Sequence, residues 1–225
     1  MATLRAIRAL VFATLLTLTT TTLAAPPAFA DTTRAVSIAK ARSLPLGTVV
    51  TVSGTATTPS GAFESSFFDK GFALQDAHAG IYVSVPTDLA VRPGRLVRVT
   101  GTLKDSFGLL ILVPAADSDV RLGHAGFQPS PRPVATSAVG ERTEGRLIRV
   151  LGRITQAPAS DLPYGYKFWV DDGTGEVQIF VNVETGIDVR PLRLGQVVLV
   201  TGLSGQFEAD YEVLPRSPED IRVVR

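Results

Sequence analysis

The sequence contains two similar stretches, GFALQDAHAGIYVSV at 71–85 and KFWVDDGTGEVQIFV at 167–181. In each stretch apolar and polar residues alternate, an acidic residue ends the alternation, a short glycine-containing turn follows, and the alternation resumes. Alternation with a period of two is typical of a β-strand with one buried face, so each stretch predicts two strands joined by a tight turn. Their similarity predicts that the chain contains two copies of one small β-module.

The repeat extends along most of the chain. VTVSGTA at 50–56 aligns with IRVLGRI at 148–154, and VRVTGTL at 97–103 aligns with VLVTGLS at 198–204. Glycine inside such strand patterns usually marks a bulge or a sharp barrel corner. Each copy is therefore predicted to form a closed Greek-key barrel of five strands, which also removes exposed sheet edges. The predicted strands are 48–57, 71–76, 80–85, 95–104 and 108–113 in the first copy, and 146–156, 166–172, 176–182, 196–204 and 209–214 in the second. Short helices are predicted at 36–43 and 134–140.

The first 30 residues have the features of a signal peptide. Arg5 and Arg8 provide a basic start, an apolar stretch follows, and Ala28-Phe29-Ala30 is a small-residue cleavage site. We expect cleavage after Ala30 and export of the remaining chain, with no membrane insertion afterwards; an uncleaved N-terminal anchor is the alternative. The predicted organisation is a signal peptide at 1–30, barrel 1 at 31–123, a proline-rich linker at 124–133 and barrel 2 at 134–225. The predicted location is secreted or periplasmic.

The composition restricts the binding modes that are open to this protein. There is no cysteine, so each barrel must be stable without disulfides and there is no thiol to lipidate. The chain has 22 basic and 21 acidic residues; removing Arg5 and Arg8 leaves 20 and 21, a net charge of −1. A protein whose affinity came from neutralising many phosphates would be strongly basic. Any nucleic-acid binding would therefore need a local patch.

The order V-x-V-x-G, G-F-x-L-Q-D, G-I-Y-V and V-R-V-T-G resembles the OB-fold, and in particular the OB modules that accompany the catalytic domains of secreted bacterial nucleases. VDDGTGEVQIFV resembles the strand 2, turn and strand 3 of nucleic-acid-binding OB domains. The resemblance covers 36–225, a range that includes no segment resembling a nuclease domain. It implies an all-β protein with two tandem five-stranded OB-like barrels. It specifies fold more than function, because OB barrels bind many unrelated ligands.

The sequence offers little for catalysis or for metal binding. The two histidines, His78 and His124, are predicted to lie in an exposed turn and at the start of the linker, without the further ligands that a metal requires. Asp171 and Asp172 are adjacent on a strand and point to opposite faces, so they cannot act as a pair. Asp172, and Asp76 in the first copy, are predicted to cap the turns that follow them. We predict no catalytic residue, no metal and no cofactor.

The alternation also predicts which side chains face outward and could bind a ligand. In the first copy Ala73, Gln75, Tyr82 and Ser84 should face out, and in the second Trp169, Asp171, Gln178 and Phe180 should do so. The outer side of strands 2 and 3 is the usual ligand face of OB barrels. The predicted ligand-binding residues are Arg149, Arg153, Lys167, Trp169, Gln178 and Phe180 in barrel 2 and Tyr82 and Arg98 in barrel 1, with Phe67 and Phe68 as additions from a loop. The alternative is that Trp169 and Phe180 pack against the other barrel or against residues 164–166.

Three functions are compatible with these features. The first is a secreted, non-catalytic module that binds single-stranded or extracellular nucleic acid through stacking on aromatic rings and arginine contacts with phosphates. The second is an exported adaptor that binds a protein partner, such as a separately encoded secreted enzyme. The third is an enzyme such as a metal-dependent phosphoesterase, against which the scarcity of histidine and the unpaired carboxylates argue.

Overall fold

The computed structural model describes residues 34–63 and 69–224. The signal peptide predicted at 1–30, its cleavage site after Ala30, and the loop residues Phe67 and Phe68 lie outside the described residues. Within the described ranges, no helix is long and apolar enough to cross a membrane. Export therefore stays a prediction from the sequence.

The first barrel is built from five strands that close on themselves. The strands are β1 (Val49–Ala56), β2 (Phe72–Gln75), β3 (Gly80–Val83), β4 (Arg95–Ser106) and β5 (Leu109–Val113). They are hydrogen-bonded in the order β1-β2-β3-β5-β4, and β4 pairs with β1 to close the barrel. β3 and β5 run parallel, and the other neighbours run antiparallel. This is the strand order of an OB barrel, as the sequence predicts.

The second barrel repeats the same topology. β7 (Arg132–Pro133) precedes its five strands, which are β8 (Leu147–Asp161), β9 (Gly165–Asp171), β10 (Val177–Asn182), β11 (Val197–Phe207) and β12 (Asp210–Leu214). Their order is β8-β9-β10-β12-β11, with β11 pairing again with β8 and β10 parallel to β12. The prediction of an all-β chain with two OB-like barrels is thus confirmed.

Three short strands extend the barrels beyond the predicted ones. β6 (Val120–Ala125) pairs with β4, β7 runs parallel to β8, and β13 (Ile221–Val224) pairs with β11. β7 contains Pro133, which is tolerated because the strand lies at a sheet edge. The helix predicted at 36–43 is α1 (Ile38–Arg42), and the one predicted at 134–140 is a single 3-10 turn, Thr136–Ala138.

The predicted inward residues form the two barrel cores. In the first barrel Phe72, Leu74, Ile81, Val83 and Val85 are all at most 1% exposed and belong to one apolar cluster. The second barrel has the equivalent cluster, formed around Phe168, Val170, Val177, Ile179 and Val181. The alternation of side chains therefore has the predicted phase in both copies.

A third apolar cluster joins the two barrels, which belong to one compact unit. It combines Tyr82 and Ile111 on the outer face of the first barrel with Leu203 of β11 in the second. The backbones also meet closely: a Cβ on Gly80 would lie 1.9 Å from the carbonyl oxygen of Gly145. Only glycine allows this approach. The outer face of β2 and β3 in the first barrel is therefore a junction with the second barrel.

Polar contacts across the junction accompany the apolar cluster. The Leu147 amide donates to Gln75 Oε1 at 2.9 Å, and Arg216 Nη1 donates to the Thr57 carbonyl at 2.7 Å. Arg42 Nη2 lies 3.0 Å from a carboxylate oxygen of Glu144, which is buried. These bonds connect residues far apart in the sequence, so they fix the position of one barrel on the other.

Candidate ligand-binding groove on the second barrel

Trp169 lies in a groove on the outer face of β9, β10 and β12. Trp169 pairs with Gln178 across β9 and β10, and Gln178 pairs with Glu212 across the parallel strands β10 and β12. The three side chains therefore stand in one row on the outside of the barrel. The groove has a volume of about 330 Å³. It is lined by Thr136, Ser137, Val139, Trp169, Glu176, Val177, Gln178, Ala209, Asp210 and Tyr211.

The Thr136–Ala138 turn, which contributes Thr136 and Ser137 to the groove, is held by the turn that follows β9. Asp172 Oδ1 accepts hydrogen bonds from the Thr174 hydroxyl at 2.6 Å, from the Thr174 amide at 3.0 Å and from the Thr136 hydroxyl at 2.7 Å. These bonds, the Thr174 hydroxyl first, lower the pKa of Asp172 to about 2. The prediction that Asp172 caps this turn is confirmed, and the same contacts place the Thr136–Ala138 turn beside the groove.

The capping role of Asp76 in the first barrel is also confirmed. Its Oδ1 accepts from the His78 amide at 2.8 Å and from the Ala79 amide at 2.9 Å. His78 is exposed in this turn, and His124 is exposed on β6. Among the residues that the structure describes, no group of three or more metal-ligating side chains could hold a metal ion.

Carboxylates outnumber cations around Trp169. Glu176 accepts from Gln156 Nε2 at 3.1 Å, and Asp210 is exposed at the start of β12. Lys167, two residues before Trp169 on the same face, lies 3.2 Å from Asp161 and does not line the groove. The groove therefore offers an aromatic face, an amide and carboxylate acceptors instead of a field that attracts phosphate.

Glu212 is buried beneath this surface. Gln178 Nε2 donates to Glu212 Oε2 at 2.8 Å, and the residue is 6% exposed. Burial is the main cause that raises the pKa of Glu212 to about 7, opposed by the Gln178 hydrogen bond and assisted by the charge of Asp210. Near neutral pH this carboxyl therefore changes between a charged acceptor and a neutral group.

Replacing Glu212 with glutamine should remove a pH dependence of stability. Because the folded-state pKa of Glu212 exceeds its ordinary value of 4.5, its ionisation opposes folding. Stability should fall as the pH rises from 4.5 to about 7, by about 3 kcal/mol at most. We expect Glu212→Gln to be more stable than the native protein at pH 8 and similar at pH 4, as measured by urea unfolding. Glu184→Gln, an exposed carboxylate of the same barrel, is the control; equal effects at both pH values would contradict the prediction.

Neither of the predicted arginines lines the Trp169 groove. Arg149 donates from Nε to the Thr201 hydroxyl at 3.0 Å and lines a separate groove with Leu199 and residues 128–131. Arg153 pairs with Asp171 and Val197, and its Nη1 donates to the Gly195 carbonyl at 2.6 Å. The expectation of a combined aromatic and arginine face is wrong for Arg149, because this half of β8 pairs with β11 and the later half pairs with β9.

Phe180 shares the outer face with Trp169 but not its groove. It pairs with Lys167 and is half-buried, with its ring over Gly165: a Cβ there would lie 3.0 Å from the Phe180 ring. Its close partner is thus a residue of the segment 164–166. The alternative that Phe180 packs against residues 164–166 therefore agrees with the structure.

The two candidates in the first barrel lie away from this groove. Tyr82 is 1% exposed; its hydroxyl donates to Asp69 Oδ1 at 2.8 Å, and the same oxygen lies 3.1 Å from the Phe63 carbonyl oxygen. The prediction that Tyr82 offers a binding surface is wrong, because Phe63 and the second barrel cover it. Ala73, Gln75 and Ser84 are buried for related reasons. Arg98 is half-buried on β4, paired with Ser53 and Arg121.

Several residues of the groove were not predicted from the sequence. Asp210 and Tyr211 come from β12, and Thr136 and Ser137 come from the turn before β8. The alternation along β12 could have placed Asp210 and Glu212 on the outer face. The approach of Thr136 could not have been found, since it depends on hydrogen bonds to Asp172, 36 residues away.

The fold and groove define a protein of two OB-like barrels with one open outer face. No family model matches the chain. It is 26% identical over 161 residues to endonuclease YhcR of Bacillus subtilis (strain 168), an alignment that covers 67% of this chain and 13% of that protein. The chain thus spans a small part of this relative's length.

Among solved structures, the similarity is low in sequence and partial in structure. The S. pombe Stn1–Ten1 complex matches 35% of this chain and 58% of its own at 21% identity, with a TM-score of 0.31. A murine DNA-binding protein bound to double-stranded DNA matches 78% of this chain and 95% of its own at 11% identity, with a TM-score of 0.40.

Proposed function

We propose that this protein is an exported, non-catalytic module that binds single-stranded nucleic acid through the Trp169 groove of its second barrel. The similarity to part of an endonuclease supports a nucleic-acid ligand. The half-buried indole, the Gln178 amide and the carboxylates support contact with bases more than with phosphates. Stacking of a base on an aromatic side chain contributes about 1–3 kcal/mol, which is enough for a site without a basic surface.

The observation that carries this proposal is a difference between equivalent positions of the two barrels. Where the first barrel has Ala73, Tyr82 and Ile111, the second has Trp169, Gln178 and Glu212 at the same strand positions. The first set is buried against the second barrel. In the second set Trp169 and Gln178 line an open groove, and Glu212 is buried beneath it. A large aromatic ring with a few polar groups is the composition of a ligand site.

Binding of labelled oligonucleotides to native protein and to Trp169→Ala tests the proposal. We expect fluorescence anisotropy at low salt to show binding that Trp169→Ala weakens by about tenfold or more, the loss that about 1.4 kcal/mol of stacking produces. Trp169 is the single tryptophan of the chain, so its own fluorescence should be quenched by the ligand. Because few cations line the groove, affinity should fall only weakly with added salt.

Two control variants make this test specific. Phe127→Ala removes an aromatic side chain that is 99% exposed outside the groove, and Arg149→Ala removes a cation from the separate groove. Neither should reduce affinity as Trp169→Ala does. Absence of binding, or binding that survives Trp169→Ala, would refute the proposal. Cleavage of the oligonucleotide in the presence of Mg²⁺, Mn²⁺ or Zn²⁺ would refute its non-catalytic part.

A protein adaptor is the second candidate, and one observation favours it. The outer face of β2 and β3 in the first barrel already docks a protein surface, that of the second barrel. The equivalent face around Trp169 would then dock a partner protein. In that case oligonucleotides should not bind, and a partner captured from culture supernatant by the native protein should be lost with Trp169→Ala.

A further inference from the structure

The groove beside Trp169 presents one carboxylate in a position to receive hydrogen bonds from a stacked ligand. Asp210 lines the groove and is exposed, and it precedes Glu212 by two residues on the same face of β12. Within the described ranges, the Asp210 carboxylate accepts no hydrogen bond, unlike Glu176 and Glu212, which accept from Gln156 and Gln178. Both of its oxygens are therefore available to a ligand.

Gln178 adds a donor next to this acceptor. Its Nε2 donates one hydrogen to Glu212 Oε2, which fixes the orientation of the amide. An amide nitrogen carries two hydrogens, so one N–H of Gln178 stays available. The row from Trp169 through Gln178 to β12 thus offers a stacking surface, a donor and a two-oxygen acceptor on one face.

The nucleobases differ in how well they match this set. Guanine has N1–H and N2–H₂ side by side, so it can donate two parallel hydrogen bonds to one carboxylate, while its O6 accepts from an amide. Adenine and cytosine have one exocyclic amine next to a ring nitrogen that accepts, and thymine has one N–H between two carbonyls. For these three bases an acceptor would face a carboxylate oxygen. An unmatched polar group in a binding site lowers affinity strongly.

We propose that the Trp169 groove selects guanine, with Asp210 accepting from its N1–H and N2–H₂ and Gln178 donating to its O6. This inference rests on the proposed binding of a single strand at the same groove. The phosphates of the strand would lie away from the groove, since its carboxylates repel them.

The test uses thymidine 11-mers in which the central position is dG, dI, dA, dC or dT. No strand contains more than one guanine, which avoids association of guanine-rich strands. We expect the dG strand to bind about tenfold more tightly than the dT strand. This is the difference in affinity expected from one pair of charge-assisted hydrogen bonds. The dI strand, which lacks the N2 amine, should lose most of that preference. Quenching of Trp169 and anisotropy should agree.

Asp210→Asn and a matched control test the role assigned to the carboxylate. Asp210→Asn should bring the affinities of the dG and dT strands together, because an amide presents one acceptor in place of two. Asp188→Asn changes an exposed carboxylate that is paired with Arg190 outside the groove, and should keep the preference. Persistence of the preference in Asp210→Asn would overturn the assignment of Asp210.

The remaining outcomes separate this inference from the proposed function. Equal binding of all five strands with sensitivity to Trp169→Ala would overturn guanine selection and leave the proposed function standing. Tighter binding of dA or dC than dG would also overturn the selection. Absence of binding to every strand would refute both.

Guanosine monophosphate is the competitor that distinguishes a free nucleotide from a base within a strand. If it displaces the strand at concentrations near the strand's own Kd, the groove is a free-nucleotide site and the strand-based inference is overturned.

Discussion

Tyr82→Ala is expected to lower the free energy of unfolding by about 3–5 kcal/mol, the range found when a large buried aromatic residue is truncated. Tyr82 is 1% exposed in the cluster that joins the barrels, where it packs with Phe63, Ile111 and Leu203. The truncation would leave a cavity at the junction. It would also remove a hydrogen-bond donor from Asp69, which is 2% exposed. Urea unfolding followed by circular dichroism measures the change.

Tyr82→Phe distinguishes the contribution of the ring to stability from that of the hydroxyl. It keeps the ring in the cluster and should cost about 1–3 kcal/mol, because Asp69 loses one buried donor and keeps the Ser84 hydroxyl. Phe127→Ala removes an aromatic ring that is 99% exposed and should change stability by about 0.5 kcal/mol or less. A loss for Tyr82→Ala no larger than that for Phe127→Ala would show that the second barrel does not cover this face in solution.

Arg42→Met should be equally destabilising, by about 3–5 kcal/mol at neutral pH, because it leaves a buried carboxylate without its cation. The Arg42 and Glu144 side chains are 11% and 1% exposed, and Glu144 Oε1 also accepts from the Leu110 amide at 3.2 Å. Burial raises the pKa of Glu144, and the nearby Arg42 lowers it. Removing Arg42 should therefore raise that pKa further.

The pH dependence of the Arg42→Met effect follows from this shift. A carboxyl whose folded-state pKa lies above 4.5 stabilises the fold when protonated and opposes it when ionised. The loss caused by Arg42→Met should thus grow as the pH rises above 4.5 and shrink in acid. Chemical unfolding at several pH values between 4 and 8 measures it.

Two further variants test the physical cause. Glu144→Gln combined with Arg42→Met should recover much of the stability, since no buried charge is then left without a partner. Arg190→Met breaks an ion pair whose side chains are 88% and 47% exposed, and should change the free energy of unfolding little. Similar losses for Arg42→Met and Arg190→Met would contradict a buried pair at the junction.

The equivalent outer faces of the two barrels carry different residues and have different surroundings. At equivalent positions of the outer face, the first copy carries Ala73 and Tyr82 and the second carries Trp169 and Gln178. The apolar set is covered by Leu203 of the second barrel. The polar and aromatic set borders a groove. The junction thus covers the outer face of β2 and β3 in the first barrel, and the equivalent face of the second barrel is the one proposed to bind a ligand.

The sequence by itself determined the strands, their phase and the capped turns. Period-two alternation depends on neighbours along the chain, so Phe72 and Phe168 could be assigned to barrel interiors, and Asp76 and Asp172 to turns, without knowledge of the tertiary structure. Alternation assigns a side chain to the outside of its own barrel. It carries no information on what covers that outside.

Only the tertiary structure decided which outer face is open and which residues meet there. Tyr82 and Gln178 have the same phase, yet Tyr82 is buried and Gln178 lines a groove, because the second barrel docks on the first. Arg149 also has the outward phase, but it lines another groove. The strands of a closed barrel face different directions, so outward residues on different strands do not all share one surface. Docking depends on contacts between residues distant in the chain, and local periodicity does not encode them.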